Sequence, residues 1–142
     1  MTGLPSPDID AFLKAIPYAR FLGMSALRED GKLITKLHFD RSLIGNPLLP
    51  ALHGGAIGGF LEMTAIAQLV LETGIALPPK PVSITVEYLR SGKPVDSYAT
   101  AQITKQGRRV VNVSVEAWQD DRLKPIAAAH GHFLLRQADD SA

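Results

Sequence analysis

The chain has no cysteine, which excludes disulfides, thiolate metal sites and a thiol nucleophile. Fifteen basic residues against fourteen acidic ones leave a formal net charge of +1. No broad field therefore points to nucleic acid or to a membrane surface as the general partner. The opening residues MTGLPSPDIDAF carry neither a basic start nor a long apolar run. The expectation is a chain without a signal peptide, working in the cytoplasm. No Walker or Rossmann glycine pattern occurs, so nucleotide hydrolysis and hydride transfer lack support. Nor does a repeat, a low-complexity tract or a linker divide the 142 residues. That length suits one domain with a proper core, and residues 1–142 are expected to form one.

What is present is a long apolar segment, residues 53–73, reading HGGAIGGFLEMTAIAQLVLET. After His53 it is apolar on nearly every side, through Ala56, Ile57, Phe60, Leu61, Met63, Ile66, Leu69 and Val70. A helix apolar all round is a buried helix. Glycine and polar residues interrupt it too often for a membrane span, and Gly74 stands where a helix C-terminal glycine belongs. Three of its features cost stability. Gly54-Gly55 and Gly58-Gly59 are poor helix formers, each glycine costing about 1 kcal/mol against alanine in a helix interior. The first pair falls where backbone N–H groups lack partners and the helix dipole is positive, and where a second molecule can approach the bare backbone closely. Glu62 is the third, a carboxylate amid apolar neighbours, which needs a partner, a shifted pKa or a task.

Around this segment the pattern is regular. Ser6-Pro7-Asp8 signals a helix start, Ile9, Phe12, Leu13 and Ile16 follow at helical spacing, and Pro17 stops the run. Met24–Glu29 and Lys32–Phe39 read as two strands joined by an Asp30-Gly31 turn. Residues 40–52, with Gly45, Pro47 and Pro50, read as an ordered loop. After Pro78, Pro79 and Pro81, alternation predicts strands over residues 82–88, 97–105, 111–117 and 124–135, with a polar, frayed tail from Arg136. Strands segregated around one helix imply an α+β architecture, a strongly curved antiparallel sheet wrapped about a long central helix, with a short N-terminal helix beside it.

A loop ending in LHGG, a helix with an acid nine residues after the histidine, and a strand reading SITVEYLRSG together resemble the hotdog-fold acyl-CoA thioesterases of the PaaI-like kind. The resemblance covers about residues 43–135. It implies a sheet wrapped around the helix, and homodimers or homotetramers with acyl-CoA as substrate and no metal or other cofactor. Carried over residue by residue, Glu62 matches the family's catalytic carboxylate, and Gly54 the glycine whose N–H polarises the thioester carbonyl. His53 matches the motif histidine, whose role varies. The family often has Asn or Gln a few residues before HGG. Here Asn46 stands one place early, a departure that leaves its role open.

The chemistry can be argued on its own terms. Thioester hydrolysis needs a donor at the developing oxyanion and a group that attacks or activates water. The Gly54 N–H, with Gly55 beside it, can supply the first; Glu62 can supply the second, as general base or as nucleophile through an anhydride. Eight residues of helix separate Gly54 from Glu62, about 12 Å at 1.5 Å per residue. One helix cannot bring both to a single carbon, whereas two antiparallel copies can. The expectation is therefore two sites per dimer, each shared by two chains. Arg90, Lys93, Arg108 and Arg109 are candidates to meet the phosphates of coenzyme A, against a plainer reading as solvated turn charges. His130 and His132 share one strand face, but two imidazoles without a third ligand point to a hydrogen-bonded pair rather than a metal site. Thr64 and Gln68 read as pocket or interface groups with no assigned role. Two rival functions remain open: a non-catalytic acyl-thioester binding or sensing protein on the same fold, and a hotdog hydratase or dehydratase.

Overall fold

A computed structural model describes residues 8–75 and 77–136; the expected helix-start pair Ser6-Pro7 lies outside them. Helix α1 (Ile9–Ala15) begins at Asp8, whose carboxylate accepts from the Ala11 N–H at 3.0 Å, the bond expected of an N-cap aspartate. Pro17 does more than stop this helix. It opens a second, α2 (Pro17–Leu22), because the first helical position has no use for the missing N–H. Strands β1 (Met24–Glu29) and β2 (Lys32–Leu37) follow. Asp30 and Gly31 between them both have positive φ, 52° and 78°, the backbone that a two-residue hairpin turn requires.

The segment 40–52 is more ordered than its prolines suggest. It contains a 3-10 turn (Arg41–Leu43) and a small hairpin, β3 (Ile44–Asn46) and β4 (Leu49–Leu52). Helix α3 spans Gly54–Thr73 and ends on Gly74, left-handed at φ 66°, whose N–H returns to the Val70 carbonyl. Then come β5 (Lys80–Tyr88), β6 (Ser97–Gln106), β7 (Val110–Trp118) and β8 (Ala127–Leu134). The last strand starts three residues later than alternation suggests, because Lys124 is held in a turn by the Asp121 carbonyl. Arg136 is not frayed: its Nε donates to the Pro78 carbonyl at 3.0 Å.

Six strands form one antiparallel sheet in the order β1-β2-β6-β7-β8-β5. Val111, Val113 and Val115 of β7 and Ala127, Ala129 and Phe133 of β8 are buried, alternating with more exposed Asn112, Ser114, Glu116, His130 and His132. The buried set packs with Phe60, Leu61, Ala65 and Leu69 of α3 into one core. A sheet curved about a central helix is the architecture that the sequence pattern implies, and it is the hotdog fold that the resemblance implies. By length and composition α3 would suffice to cross a membrane, yet two thirds of its apolar window is buried within the fold.

One polar chain runs through this core. The Thr35 hydroxyl lies 2.7 Å from the Thr64 hydroxyl, which donates to the Phe60 carbonyl at 2.7 Å, and both threonines are fully buried. Thr64 is therefore a core tie between β2 and α3. Buried hydroxyls deprived of a partner cost about 1–3 kcal/mol. Thr64→Val should lower stability in urea unfolding by about that amount, while Thr35→Val/Thr64→Val should lose less than the two single losses added. Simple additivity would contradict the tie.

Candidate active site

Helix α3 is anchored at its start in a way that leaves the Gly54 donor without an acceptor, as it does the Ala56 donor. His53 is its N-cap, with extended backbone at φ −63° and ψ 133°. Its own N–H donates to the Leu43 carbonyl at 2.7 Å, and its carbonyl accepts from Ile57 at 3.1 Å. Its ring Nδ1 accepts from the Gly55 N–H at 2.8 Å, which in the neutral imidazole places the ring proton on Nε2. The next residue is different. Among the described residues nothing accepts from the Gly54 N–H, the first of the unpaired donors at a helix start. The positive end of the α3 dipole lies behind it.

This free N–H adjoins a cleft of about 370 Å³ lined by Leu52, Gly54, Ile57, Tyr88, Arg90 and Gly92 among others. Strand β4 and the Gly92 turn form one wall, tied by the Leu52 N–H to the Gly92 carbonyl at 2.9 Å. Strand β5 forms the other. The cleft thus joins the expected oxyanion donor and one expected phosphate ligand, Arg90. That guanidinium is not free, however: its Nη1 donates to the Pro125 carbonyl at 2.7 Å and fixes the connection before β8. Lys93 sits just past Gly92, its backbone gripped on both sides by the Gln119 amide and its side chain exposed.

Arg108 and Arg109 are elsewhere. Their turn leads to Val110, which pairs with Leu134, as does Lys80 at the start of β5. Tyr88 and the cleft lie at the other end of β5, roughly 27 Å away at 3.4 Å per residue. Within one chain the structure does not bring these arginines to Gly54. Asn46 turns its Oδ1 to the Leu48 N–H at 3.0 Å, capping the β3–β4 turn. Gln68 hydrogen-bonds Glu72 at 2.8 Å on the exposed side of α3. His132 Nδ1 lies 2.9 Å from Ser83 Oγ across the β5–β8 pair.

Glu62 is half-buried and, among the described residues, has neither a hydrogen bond nor an ion pair. Burial raises its carboxyl above the ordinary glutamate range, and nothing offsets it. It shares a helix face with Gly55, Gly58 and Gly59, at spacings of seven, four and three residues. Two tyrosines border that face. A Cβ at Gly58 would stand 3.3 Å from the Tyr88 hydroxyl, and one at Gly59 only 2.7 Å from the Tyr18 hydroxyl. These glycines admit side chains from β5 and α2. Neither tyrosine was foreseen as part of the site, because the reach of each across to α3 is a tertiary contact with no local signature; the tyrosine within the EYLR strand was the available hint.

The unpaired carboxylate has a consequence for stability. A pKa raised in the fold means that the charged form is the penalised one. The penalty is absent below the ordinary value of 4.5 and grows as pH rises through the raised value. Glu62→Gln should therefore unfold at higher denaturant than wild type at neutral pH, with the gain vanishing on acidification below that value. Equal stability at both pH values would contradict an unpaired buried carboxylate.

The model of a family described as the acyl-CoA thioesterase N-terminal domain matches residues 46–134, well over half of the chain. No match was found among curated proteins. Among solved structures, a Chromobacterium violaceum protein is 43% identical, with TM-score 0.72 over 90% of this chain and 89% of its own. A Bacillus halodurans protein solved with CoA is 21% identical, with TM-score 0.74 over 89% and 86%. The E. coli PaaI protein of the phenylacetic acid degradation operon is 21% identical, with TM-score 0.71 over 89% and 92%. The last two show the shared fold. With the helix-start donor, the acid on the same helix and the wrapped sheet in place, the chain belongs to the acyl-CoA thioesterase family of hotdog proteins.

Proposed function

We propose that this protein hydrolyses an acyl-CoA thioester to free acid and coenzyme A, at sites each built from two copies of the chain. The observation that carries the reading is a pair of unused groups on one rigid helix, the Gly54 N–H and the Glu62 carboxylate, about 12 Å apart. Each is what half of a thioesterase site requires, and they are too far apart to serve one carbon. A second copy running antiparallel brings Gly54 of one chain to Glu62 of the other.

The sheet edge supports such pairing. Strand β5 is an edge strand of nine residues with Val82 and Tyr88 more than half exposed. A long edge of this kind is a template for pairing with another strand. Twofold pairing of two β5 edges sets the two α3 helices antiparallel and gives each site the same composition.

The chemistry then runs as follows. The thioester oxygen accepts the Gly54 N–H, and the helix dipole favours the charge that develops on it. As general base, Glu62 takes a proton from water as its oxygen bonds to the carbonyl carbon. Collapse of the tetrahedral intermediate breaks the C–S bond, and the proton on Glu62 passes to the departing thiolate. As nucleophile, Glu62 would instead form an anhydride that water cleaves, with the same products. A carboxyl pushed upward by burial is a better proton acceptor than an ordinary one. CoA bound to the Bacillus halodurans relative supports CoA as the carrier, with Arg90 and Lys93 at the cleft mouth as its phosphate partners.

A panel of acyl-CoA substrates with a thiol-reactive dye tests this directly. Wild type should release thiol from at least one of them, and Glu62→Gln should lower kcat by about 10²–10⁴-fold. Tight binding without thiol release would favour the acyl-thioester sensor instead. Gly54→Pro is a sharper probe. Proline removes the N–H at a position where helices tolerate it, its added Cβ would make ordinary contact with the Tyr88 ring at 3.4 Å, and the extended His53 backbone suits a following proline. It should keep the fold and lose about 10²–10³-fold in kcat; full activity would dismiss Gly54 as the donor.

A further inference from the structure

The peptide between Gly54 and Gly55 is held at both ends. Its carbonyl oxygen accepts from the Tyr88 hydroxyl at 2.8 Å, and its N–H donates to His53 Nδ1 at 2.8 Å. The neighbouring groups are tied as well, the His53 N–H to Leu43 and the His53 carbonyl to Ile57. Every polar backbone group flanking the Gly54 N–H is thus fixed, and that N–H is left unpaired beside the cleft.

Ordinary structural needs do not account for the Tyr88 bond. First-turn carbonyls already have helical partners four residues on, and the groups that go begging at a helix start are N–H donors. A tyrosine donor to the Gly54 carbonyl therefore satisfies no orphan. Within one chain burial does not hold the ring in place either, since Tyr88 is 55% exposed there. Two glycines nevertheless make room for it. A Cβ on Gly54 would stand 3.4 Å from the ring, and one on Gly58 would stand 3.3 Å from the hydroxyl. The strand end that carries Tyr88 is itself rigid, with Tyr88 paired to Ala127 and the Leu89 and Arg90 N–H groups both on the Ile126 carbonyl. A chain of hydrogen bonds, Tyr88 hydroxyl to the peptide and the peptide to His53, also polarises along its length.

We propose that Tyr88 is a positioning residue for the hydrolysis, its hydroxyl pinning the Gly54–Gly55 peptide to β5 so that the adjacent Gly54 N–H is aimed at the substrate carbonyl before substrate arrives. This rests on the reading of Gly54 as the oxyanion donor. Such pre-alignment acts mainly in the transition state, where the oxygen gains charge, and little in ground-state binding.

Tyr88→Phe keeps the ring over Gly54 and Gly58 and deletes only the donor. Two measurements read its effect. Backbone 15N order parameters at Gly54 and Gly55 need no substrate. They should fall from about 0.85 in wild type toward 0.6 in the variant, with the rest of α3 unchanged. In the thiol-release assay kcat should fall about tenfold, a fraction of the cost of losing an oxyanion donor outright, while KM stays within about twofold. Unchanged order parameters with an active wild type would overturn the positioning role alone. So would an unchanged kcat, or a loss carried in KM, which would make Tyr88 a substrate contact. A wild type that cleaves no acyl-CoA would defeat the thioesterase reading, and with it any catalytic meaning of this bond.

Discussion

A helix wrapped on several sides by a sheet cannot bend, and that rigidity governs how this protein can work. Helix α3 is locked by Phe60, Leu61, Ala65 and Leu69 against β7 and β8, so whatever its ends and middle carry is held at fixed separation. Along its length it presents first a backbone donor without an acceptor and then, two turns later, a carboxylate without a partner. Neither adds to the stability of the chain: an unpaired, half-buried charge and bare glycines both cost free energy. The core supplies the stability that lets them persist, and their distance is the reason for proposing that a second copy of the chain completes each site.

The site's surroundings follow from the same economy of position. The N-terminus of α3 is anchored from three directions: by the 3-10 turn before β3 through Leu43, by the Gly92 turn through Leu52, and by β5 through Tyr88. Histidine at the N-cap takes the Gly55 donor for itself, leaving the adjacent Gly54 donor unpaired. His53 in this arrangement shapes the helix start, and the motif glycines serve two purposes: Gly54 keeps its N–H open while Gly58 and Gly59 clear space for phenol rings. The glycines that weaken the helix as an isolated element are the ones that let β5 and α2 close upon it.

Much of this was legible in the residues themselves. The all-round apolar character of 56–70, the Gly74 stop and the Asp30-Gly31 turn report local physics, and each appears where the pattern put it. Alternation in 111–117 works for the same reason, since one sheet face is buried. Where expectation and structure differ, the deciding factor is tertiary. Pro17 reads as a stop but begins α2, because the same ring that ends one helix suits the first turn of another. The 40–52 segment folds into a hairpin that alternation could not announce over strands of three and four residues. Arg90 lines the cleft with its Nη1 braced on the Pro125 carbonyl, while Arg108 and Arg109, expected with it at a phosphate, stand at the far end of the sheet from Gly54 of the same chain. Charge in a sequence says what a residue can bind, and only the fold says what it can reach. Tyr88 was missed for that reason: its partner lies thirty-four positions away.

Sharing of the site between copies can be read from mixed dimers. Glu62→Gln and Gly54→Pro chains, each inactive alone, are dissociated together and allowed to reassociate in equal amounts. With the donor and the acid drawn from opposite chains, every mixed dimer carries one intact site, and the mixture should recover about a quarter of wild-type thiol release. Recovery of none, with mixed dimers demonstrated by mass, would place donor and acid within one chain and contradict the account.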